Sequence, residues 1–401
     1  MSSDGLGCSV GRKLTIFFCG ADWSWAELVK RGFRRRYACI LRELVKHPEV
    51  ERVFVFTNVM RPTYFEMMRR PHNEREFENG KVVDVYVSPL LPERPWLPGF
   101  AAINCRFMQR QVEAQTGNLF ELQPLVWCYW PAGFRLACRL NLPGRWVFDA
   151  DHDLLHDENE STGKPAEVER VLNAVIHKVD VVMASTCSAL NWFADNGARH
   201  VLRLRNGVTT ALVREAAVPP RNPDKPRIGY IGVLSKWVDY DLLEKIVAAR
   251  PGWQFVIGGP IYRAQLPASL KEMPHVEWLG VVEPARLPDV LATFDVALGL
   301  YRGGPWQDMD SMKLFDYLAA GLPTVCSNFH PHLREDFGGL LELANGPDEF
   351  VAGIERVLNH DAATRAEWDS RRQRFIAAHT WEREVGAALK TVRVSTEKSV
   401  A

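Results

Sequence analysis

Short apolar segments alternate with helical segments along the whole chain, and this alternation constrains the fold more than any other feature. The first half opens on the apolar run Lys13–Gly20, and the second half restarts the pattern at Arg227–Ile231. Apolar runs of this length that end near glycine and lead into helices are typical of strands buried on both faces of a parallel sheet. The 401 residues exceed what one hydrophobic core normally serves. We therefore predict an α/β protein with two parallel-sheet domains.

A proline-rich stretch separates the two halves. Ala216–Pro226 (AAVPPRNPDKP) shows neither helical nor strand periodicity, which indicates a linker. We predict an N-terminal domain at 1–215, the linker at 216–226, a second domain at 227–380, and a closing helix and tail at 381–401.

The composition excludes some classes of protein. Lys+Arg and Asp+Glu both number 49, which gives no argument for nucleic-acid binding. The eight cysteines contain no CxxC pair and several lie in apolar runs, which favours buried free thiols and a cytoplasmic protein. No segment has the roughly 18 uninterrupted apolar residues of a membrane span.

The stretch Asp308–Asn328 (DMDSMKLFDYLAAGLPTVCSN) predicts a loop, a short helix, a tight turn and a buried strand. Asp310 or Ser311 can cap the start of this helix, where backbone N–H groups need an acceptor. Gly321 suits the left-handed residue that follows the end of a helix.

Two polar side chains of this helix, Lys313 and Asp316, project from one face. The lysine and the helix N-terminus favour a phosphate, and the aspartate can accept hydrogen bonds from a ribose diol one turn further on. The alternative is an ordinary amphipathic helix with a solvated ion pair between the two side chains. On these residues alone both interpretations stay open.

An acidic loop that contains a histidine follows the predicted strand Arg145–Phe148. Asp151, His152 and Asp153 lie at the carboxyl end of that strand, where open α/β sheets place their chemistry. One of these groups can take a proton from an attacking hydroxyl. The same residue types also bind metals, and a polar loop can simply cap the next helix. We predict a catalytic role for the group and assign no single base.

The first predicted strand ends where open α/β sheets bind their ligands. Asp22 and Trp23 follow the first predicted strand, and a helix predicted from Glu27 to Lys46 carries a basic cluster. This cluster is either a solvated face or a surface attracted to an anionic membrane or a lipid-linked pyrophosphate. Its members are Lys30, Arg31, Arg34, Arg35 and Arg36.

Eight stretches occur together and in the order of a known family. They are DW at Asp22, FDADHD at Phe148, NGV at Asn206, YIGVLSKWVDYDLL at Tyr230, PGWQFVIGGP at Pro251, VEWLGVVEPARLPDVLATFDVAL at Val276, SMKLFDYLAAGLPTVCS at Ser311 and TWEREV at Thr380. The chain thereby resembles GT-B glycosyltransferases, in which two Rossmann-like domains face each other across a cleft. It is most similar to the GT4-like bacterial exopolysaccharide and teichuronic-acid-type transferases.

The resemblance implies roles for individual residues. Asp316 would hold the ribose hydroxyls and Asp308 would form the other half of the family's paired acidic motif, with aspartate where the family usually has glutamate. Gly232 and the loop to Lys236 would lie under the donor diphosphate, and Arg302 would shape the sugar pocket. The donor-binding residues are thus Gly232, Lys236, Arg302, Asp308, Lys313, Leu314 and Asp316, and the acceptor side holds Asp22 and Trp23.

The resemblance also implies the reaction: transfer of a sugar from a nucleotide-diphosphate donor to a hydroxyl of a saccharide or lipid-linked acceptor, in polysaccharide or glycoconjugate synthesis. No cofactor or metal ion is expected, since the nucleotide sugar is a co-substrate. GT4-like enzymes retain the anomeric configuration, whereas the similar xanthan-type glucuronosyltransferases invert it, so the outcome stays open. The alternatives are a GT-B sugar-nucleotide epimerase and a nucleotide-binding pseudo-enzyme. We expect a cytoplasmic protein, with peripheral membrane contact on the cytoplasmic face as a further hypothesis.

Overall fold

The computed structural model describes most of the chain. The described residues are 13–57, 76–87, 99–151, 165–216, 224–303 and 309–397, together with residues 89, 154 and 222. The chain divides into two compact units. The first holds 1–149, 162–182 and 196–200, and the second holds 150–161, 183–195 and 201–401. The domain limits at 215, 226 and 380 stay predictions.

The first sheet has eight strands in the order β3-β4-β2-β1-β5-β6-β7-β8. Strand β1 lies between β2 and β5 in parallel register, with Phe17 opposite both Phe54 and Val126. The short strand β3 pairs antiparallel with β4. The strands are β1 Leu14–Ala21, β2 Val50–Thr57, β3 Glu76–Phe77, β4 Val82–Val85, β5 Leu125–Tyr129, β6 Arg145–Ala150, β7 Val181–Ala184 and β8 Val201–Arg203.

The helices of the first half follow the predicted alternation with one correction. The single helix predicted from Glu27 to Lys46 is wrong, because Gly32 and Phe33 take left-handed φ values of 66° and 52° and break it. The described helices are α1 Trp25–Lys30, α2 Arg36–Lys46, α3 Gly99–Thr116, α4 Leu119–Leu122, α5 Trp130–Arg139, α6 Pro165–Lys178 and α7 Cys187–Asp195.

The second sheet has six strands in the order β11-β10-β9-β12-β13-β14, and every pair in it is parallel. Because the order reverses between β10 and β12, polar groups that follow β9 and β12 meet at a topological switch point. The strands are β9 Arg227–Ile231, β10 Gln254–Gly258, β11 Val276–Gly280, β12 Val296–Gly299, β13 Thr324–Ser327 and β14 Leu341–Ala344.

Helices cover both faces of this sheet and enclose two apolar clusters. Gly229 in β9 has no room for a side chain, because an added Cβ would overlap the ring of Phe294. The helices are α8 Tyr240–Ala249, α9 Ala268–Glu272, α10 Leu287–Leu291, α11 Met312–Ala319, α12 Leu333–Asp336, α13 Pro347–Leu358, α14 Ala362–Ala378 and α15 Trp381–Glu397. Within the described part of the chain, no helix is both long and apolar enough to cross a membrane.

The α/β class with two parallel-sheet units is therefore as predicted.

Candidate functional site

The ends of β9 and β10 form a floor of closely packed backbone. The N–H of Gly232 donates to the carbonyl oxygen of Gly258 at 3.0 Å, and the N–H of Leu234 donates to that of Pro260 at 2.9 Å. Gly259 has a φ of 140°, and an added Cβ there would overlap the carbonyl oxygen of Gly232. The backbones of Gly232 and Gly259 thus pack directly against each other, because neither residue carries a side chain.

Helix α11 ends in a Schellman motif beside this floor. Gly321 has a φ of 73°, and its N–H donates to the carbonyl of Leu318 at 3.0 Å, while the N–H of Leu322 donates to that of Tyr317 at 3.0 Å. The buried guanidinium of Arg372 also donates to the carbonyl of Leu318 at 3.0 Å. A cation therefore compensates the negative end of the helix dipole, and the prediction for Gly321 is confirmed.

The start of α11 is anchored by Asp310. The buried Arg205 donates from Nη2 to Asp310 Oδ1 at 2.8 Å, and the backbone N–H of Asn206 donates to Oδ2 at 2.6 Å. The guanidinium of Arg205 also lies 5.1 Å from the ring centroids of both Phe315 and Phe337. Asp310 is therefore a structural anchor, and of the two residues predicted to cap the helix it is not the one at the N-cap position.

Ser311 occupies the N-cap position of α11, but its side chain makes no cap hydrogen bond. Its Oγ instead forms a hydrogen bond with the hydroxyl of Tyr301, which follows β12. Among the described residues, no acceptor meets the backbone N–H groups of Met312 and Lys313. The N-terminus of α11 thus keeps the partial positive charge that favours an anion.

The ammonium of Lys313 lies over Gly232. It donates to the hydroxyl of Tyr230 at 3.1 Å and sits 5.0 Å and 4.8 Å from the ring centroids of Tyr230 and Tyr301. Within the described part of the chain Lys313 has no ion pair, and in particular none with Asp316. The alternative interpretation, in which Lys313 and Asp316 form a solvated ion pair, is therefore wrong.

The other predicted donor residues take different positions around this centre. Lys236 is exposed and lies 4.7 Å from the ring of Trp237, whose carbonyl accepts from the N–H of Arg302 at 2.9 Å. Asp316 is half-buried. The side chain of Leu314 lies in the hydrophobic core, so only its backbone is available to a ligand. Asp308 lies outside the described residues.

The predicted acceptor-side residues share a polar cluster in the first unit. Asp22 follows β1 and pairs with Arg35 at 2.7 Å. The ring of Trp23 carries the guanidinium groups of Arg31 and Arg35 at 4.2 Å and 4.3 Å from its centroid. Arg31 also pairs with Glu27 at 3.2 Å. Asp22 and Glu27 thus neutralise part of the positive charge of the basic cluster.

The acidic loop after β6 is only partly described. Asp149 is fully buried and pairs with the buried Arg36 at 3.0 Å, so it has a structural role. Asp151 is half-buried, and its carbonyl accepts from the hydroxyl of Ser185. His152 and Asp153 lie outside the described residues. The catalytic role of Asp151, His152 and Asp153 stays a prediction.

Tyr230 and Tyr301, which contact Lys313, were not predicted as site residues from the sequence. Tyr230 lies in an apolar run and Tyr301 directly follows one, and this pattern predicts core residues. Both side chains are indeed almost fully buried. Burial raises the pKa of Tyr301 to about 12, and it raises the pKa of Tyr230 as well. Their positions near the ends of β9 and β12, at the switch point, are the signal that identifies them. Among the described residues no group of three or more His, Cys, Asp or Glu side chains is arranged to hold a metal ion.

Sequence comparison relates the second half to known transferases. Residues 240–390 match the family model described as "Glycosyl transferase-like". A Bacillus subtilis (strain 168) protein named as a teichuronic acid biosynthesis glycosyltransferase, TuaH, is 28% identical over 140 residues, which are 33% of this chain and 35% of TuaH. The match thus spans about a third of the length of that curated relative.

Structural comparison covers nearly the whole chain. A sucrose-phosphate synthase from Thermosynechococcus elongatus has a TM-score of 0.65 at 14% identity, over 96% of this chain and 100% of that one. Anabaena Alr3699/HepE, solved with UDP and glucose, has a TM-score of 0.62 at 14% identity, over 95% and 100%. At these identities the likeness shows the fold. The chain therefore has the predicted GT-B glycosyltransferase fold, with glycosyl transferase-like sequence in residues 240–390.

Proposed function

We propose that the protein is a glycosyltransferase that moves a sugar from a nucleoside-diphosphate donor to a hydroxyl acceptor. The observation that carries this proposal is Lys313. Its half-buried ammonium lies over Gly232 and beside the uncapped N-terminus of α11, and no described carboxylate pairs with it. Such a cation at a helix N-terminus suits a diphosphate.

The chemistry follows from the charges. In transfer, the bond between the anomeric carbon and the diphosphate oxygen breaks, a bond to the acceptor oxygen forms, and the acceptor proton passes to a base. Lys313 and the N–H groups of Met312 and Lys313 would stabilise the negative charge that develops on the leaving diphosphate. Asp316, one turn along α11, would accept hydrogen bonds from the ribose hydroxyls. The Asp151, His152 and Asp153 group is the proposed source of the base.

Similar proteins support the substrate classes. TuaH is named for teichuronic acid biosynthesis, and Alr3699/HepE was solved with UDP and glucose. A nucleotide-sugar donor and a saccharide or lipid-linked acceptor in polysaccharide or glycoconjugate synthesis are therefore the proposed substrates. Action without a metal ion, a cytoplasmic location and peripheral membrane contact through the basic cluster belong to the same proposal.

The glycosyl transferase-like match over residues 240–390 favours transfer over the epimerase and pseudo-enzyme alternatives. Incubation with the donor alone separates them, since an epimerase yields an isomerised sugar.

The first experiment is a thermal-shift screen of nucleotide sugars and nucleoside diphosphates, because a ligand that binds only the folded state raises its apparent stability. Lys313→Ala is then compared with Lys245→Ala, an exposed lysine of α8. We expect Lys313→Ala to remain folded and to lower kcat/KM with the best donor by a factor on the order of 10², and Lys245→Ala to behave as wild type. Wild-type donor binding and turnover in Lys313→Ala would overturn the proposal.

A further inference from the structure

The partners of Lys313 are neutral and aromatic. Its Nζ contacts the hydroxyl of Tyr230 at 3.1 Å, and the rings of Tyr230 and Tyr301 lie within 5.0 Å of it. A carboxylate partner would neutralise the ammonium before a ligand arrives. The dipole of a phenol hydroxyl and the quadrupoles of two aromatic rings instead attract the ammonium, and neither neutralises its charge.

The hydrogen-bonding role of Tyr230 is fixed by its surroundings. Its hydroxyl donates to the carbonyl of Val233 at 3.3 Å, so its lone pairs face Lys313. Burial raises the pKa of this hydroxyl above its ordinary value, which already lies well above neutrality, so the group is a neutral phenol. An added Cβ on Gly232 would lie 2.8 Å from Lys313 Cε, so the aliphatic chain of the lysine runs directly over the glycine. The ammonium is therefore held from both sides.

Tyr301 has a second effect through Ser311. The hydroxyl of Ser311, at the N-cap position of α11, forms a hydrogen bond with the hydroxyl of Tyr301 and makes no cap bond. A free serine at this position normally accepts from the second or third N–H of its helix. That bond would compete with a bound phosphate oxygen for the same N–H groups. Tyr301 thus keeps the helix N-terminus open.

We propose that Tyr230 and Tyr301 are positioning residues for the donor diphosphate: Tyr230 places the ammonium of Lys313, and Tyr301 withholds the Ser311 hydroxyl from the N-terminus of α11. This inference rests on the proposed function, because it assumes that the diphosphate binds at this helix. It assigns these two buried hydroxyls a role that core packing alone does not require.

A double-substitution experiment tests the role of Tyr301. The probe is whichever of UDP, GDP, ADP and dTDP the wild type binds most tightly, and the readout is its Kd by calorimetry. We expect Tyr301→Phe, which keeps the ring, to raise this Kd about fivefold, because the released serine then caps the helix. Ser311→Ala alone should change the Kd less than about twofold, and Tyr301→Phe combined with Ser311→Ala should restore tight binding.

The restoration distinguishes positioning from packing. If Tyr301 only stabilised the fold, the double variant would bind as weakly as Tyr301→Phe or more weakly, and that result would overturn its assigned role. The corresponding nucleoside, which has no phosphate, should bind all variants equally. A loss of nucleoside binding in Tyr301→Phe would likewise count against the proposal.

The role of Tyr230 is tested by a cycle with Lys313. Tyr230→Phe removes the oxygen that accepts from Lys313 and keeps the ring. We expect it to raise the Kd of the nucleoside diphosphate about fivefold in the wild-type background and to have no effect in the Lys313→Ala background. Equal effects in both backgrounds would show that the hydroxyl does not act through the lysine.

Different results would overturn the proposed function and the positioning role of the tyrosines. If the wild type binds none of the four nucleoside diphosphates, the proposed function is wrong. If the wild type binds one and Lys313→Ala weakens it, but the tyrosine variants leave the Kd unchanged, only the positioning role is wrong.

Discussion

Gly232 and Gly259 lie at the ends of neighbouring strands, and their missing side chains leave room for different groups. At Gly232 an added Cβ meets the far end of the Lys313 side chain at 2.8 Å. At Gly259 it meets the backbone of Gly232, and the φ of 140° strains any other residue. A lysine side chain can move aside, whereas a packed backbone cannot.

Substitution by alanine should therefore separate function from stability. Gly232→Ala should displace Lys313 and weaken nucleoside-diphosphate binding about tenfold, while the free energy of unfolding falls by about 1 kcal/mol. Gly259→Ala should lower that free energy by about 3 kcal/mol. Urea unfolding and calorimetric binding measure both, with Gly252→Ala as the control, since an added Cβ there meets no atom within 4 Å. Normal binding in folded Gly232→Ala would contradict this account.

Asp84 is a buried acid in β4 of the first unit. Both of its carboxylate oxygens accept from the backbone N–H of Trp25, at 2.9 Å and 3.1 Å, at the start of α1. Burial nevertheless raises its pKa to about 7 from an ordinary value of 3.8. The folded-state pKa therefore lies above the unfolded-state value. The neutral Asp84 carboxyl makes its full contribution to the free energy of unfolding below about pH 4, and this contribution is lost as the pH rises through 7.

Asp84→Asn should remove this pH dependence. We expect the variant to gain stability relative to wild type as the pH rises from 4.5 to 8, by an amount on the order of 3 kcal/mol, because the amide pays no penalty for ionisation. Urea unfolding at the two pH values measures the difference. Asp195→Asn, at an exposed position, should show no comparable change, and a wild-type pH profile in Asp84→Asn would refute the argument.

At the scale of single residues, the sequence predicted which residues have a special role better than it predicted their partners. The Lys313 and Asp316 face and the glycine at 321 follow from helical geometry and local backbone preference. The partner of Ser311 is Tyr301, ten residues earlier in the chain, and that of Asp310 is Arg205, 105 residues earlier. Such pairings depend on where the strands bring the chain together, which no local pattern encodes.

Helix α11 is an element whose two ends are held differently. Its C-terminal carbonyls are satisfied by a Schellman motif and by Arg372. Its start is fixed by Asp310, and its first N–H groups meet no acceptor among the residues that the structure describes. The anchoring contacts come from outside the helix. The helix is therefore positioned rigidly although its own eight residues would not be stable alone.

Loss of the anchor should be costly. Asp310→Ala leaves the buried guanidinium of Arg205 without its carboxylate, and we expect the free energy of unfolding to fall by about 3–5 kcal/mol. Glu342→Ala breaks the exposed pair with Arg356 and should cost less than about 1 kcal/mol. Urea unfolding of the two variants provides the comparison. Equal losses would mean that the Arg205–Asp310 pair is no stronger than a surface pair.

The break between α1 and α2 shows why one element was predicted wrongly. The run from Glu27 to Lys46 is rich in helix-forming residues, and the sequence RGF gave the only interruption. Gly32 and Phe33 turn the chain, and the N–H of Phe33 donates to the carbonyl of Leu28 at 3.1 Å. Phe33 then stacks edge-on against Trp25 at 5.1 Å. A tertiary contact of this kind outweighs helix propensity.

At the scale of the whole molecule, ligand binding should be confined to the second unit. Hydrogen exchange with the best nucleoside diphosphate should slow in peptides covering 230–236 and 311–318, since the proposed ligand contacts both segments. Peptides covering β1 and β2 should exchange as in the free protein. Lys313→Ala at the same ligand concentration is the control, and protection that persists in it would place the ligand elsewhere.

The fold class could be predicted at this scale because alternation of strands and helices permits few arrangements. The order of the strands could not, since the apolar run of β9 does not indicate that its neighbours are β10 and β12. That order is what brings Tyr230, Tyr301 and Lys313 together. The site therefore became visible as a cluster only in three dimensions.

The strand order also has a consequence for synthesis of the chain. Strand β9 is made early in the second unit, but one of its two neighbours, β12, begins only at Val296. Until then the nascent chain presents one edge of β9 without its partner, and Lys313 has not yet been joined to Tyr230. An unpaired apolar strand edge is prone to wrong pairing. We therefore expect ribosome-bound chains that end before Val296 to engage chaperones and to bind no nucleotide.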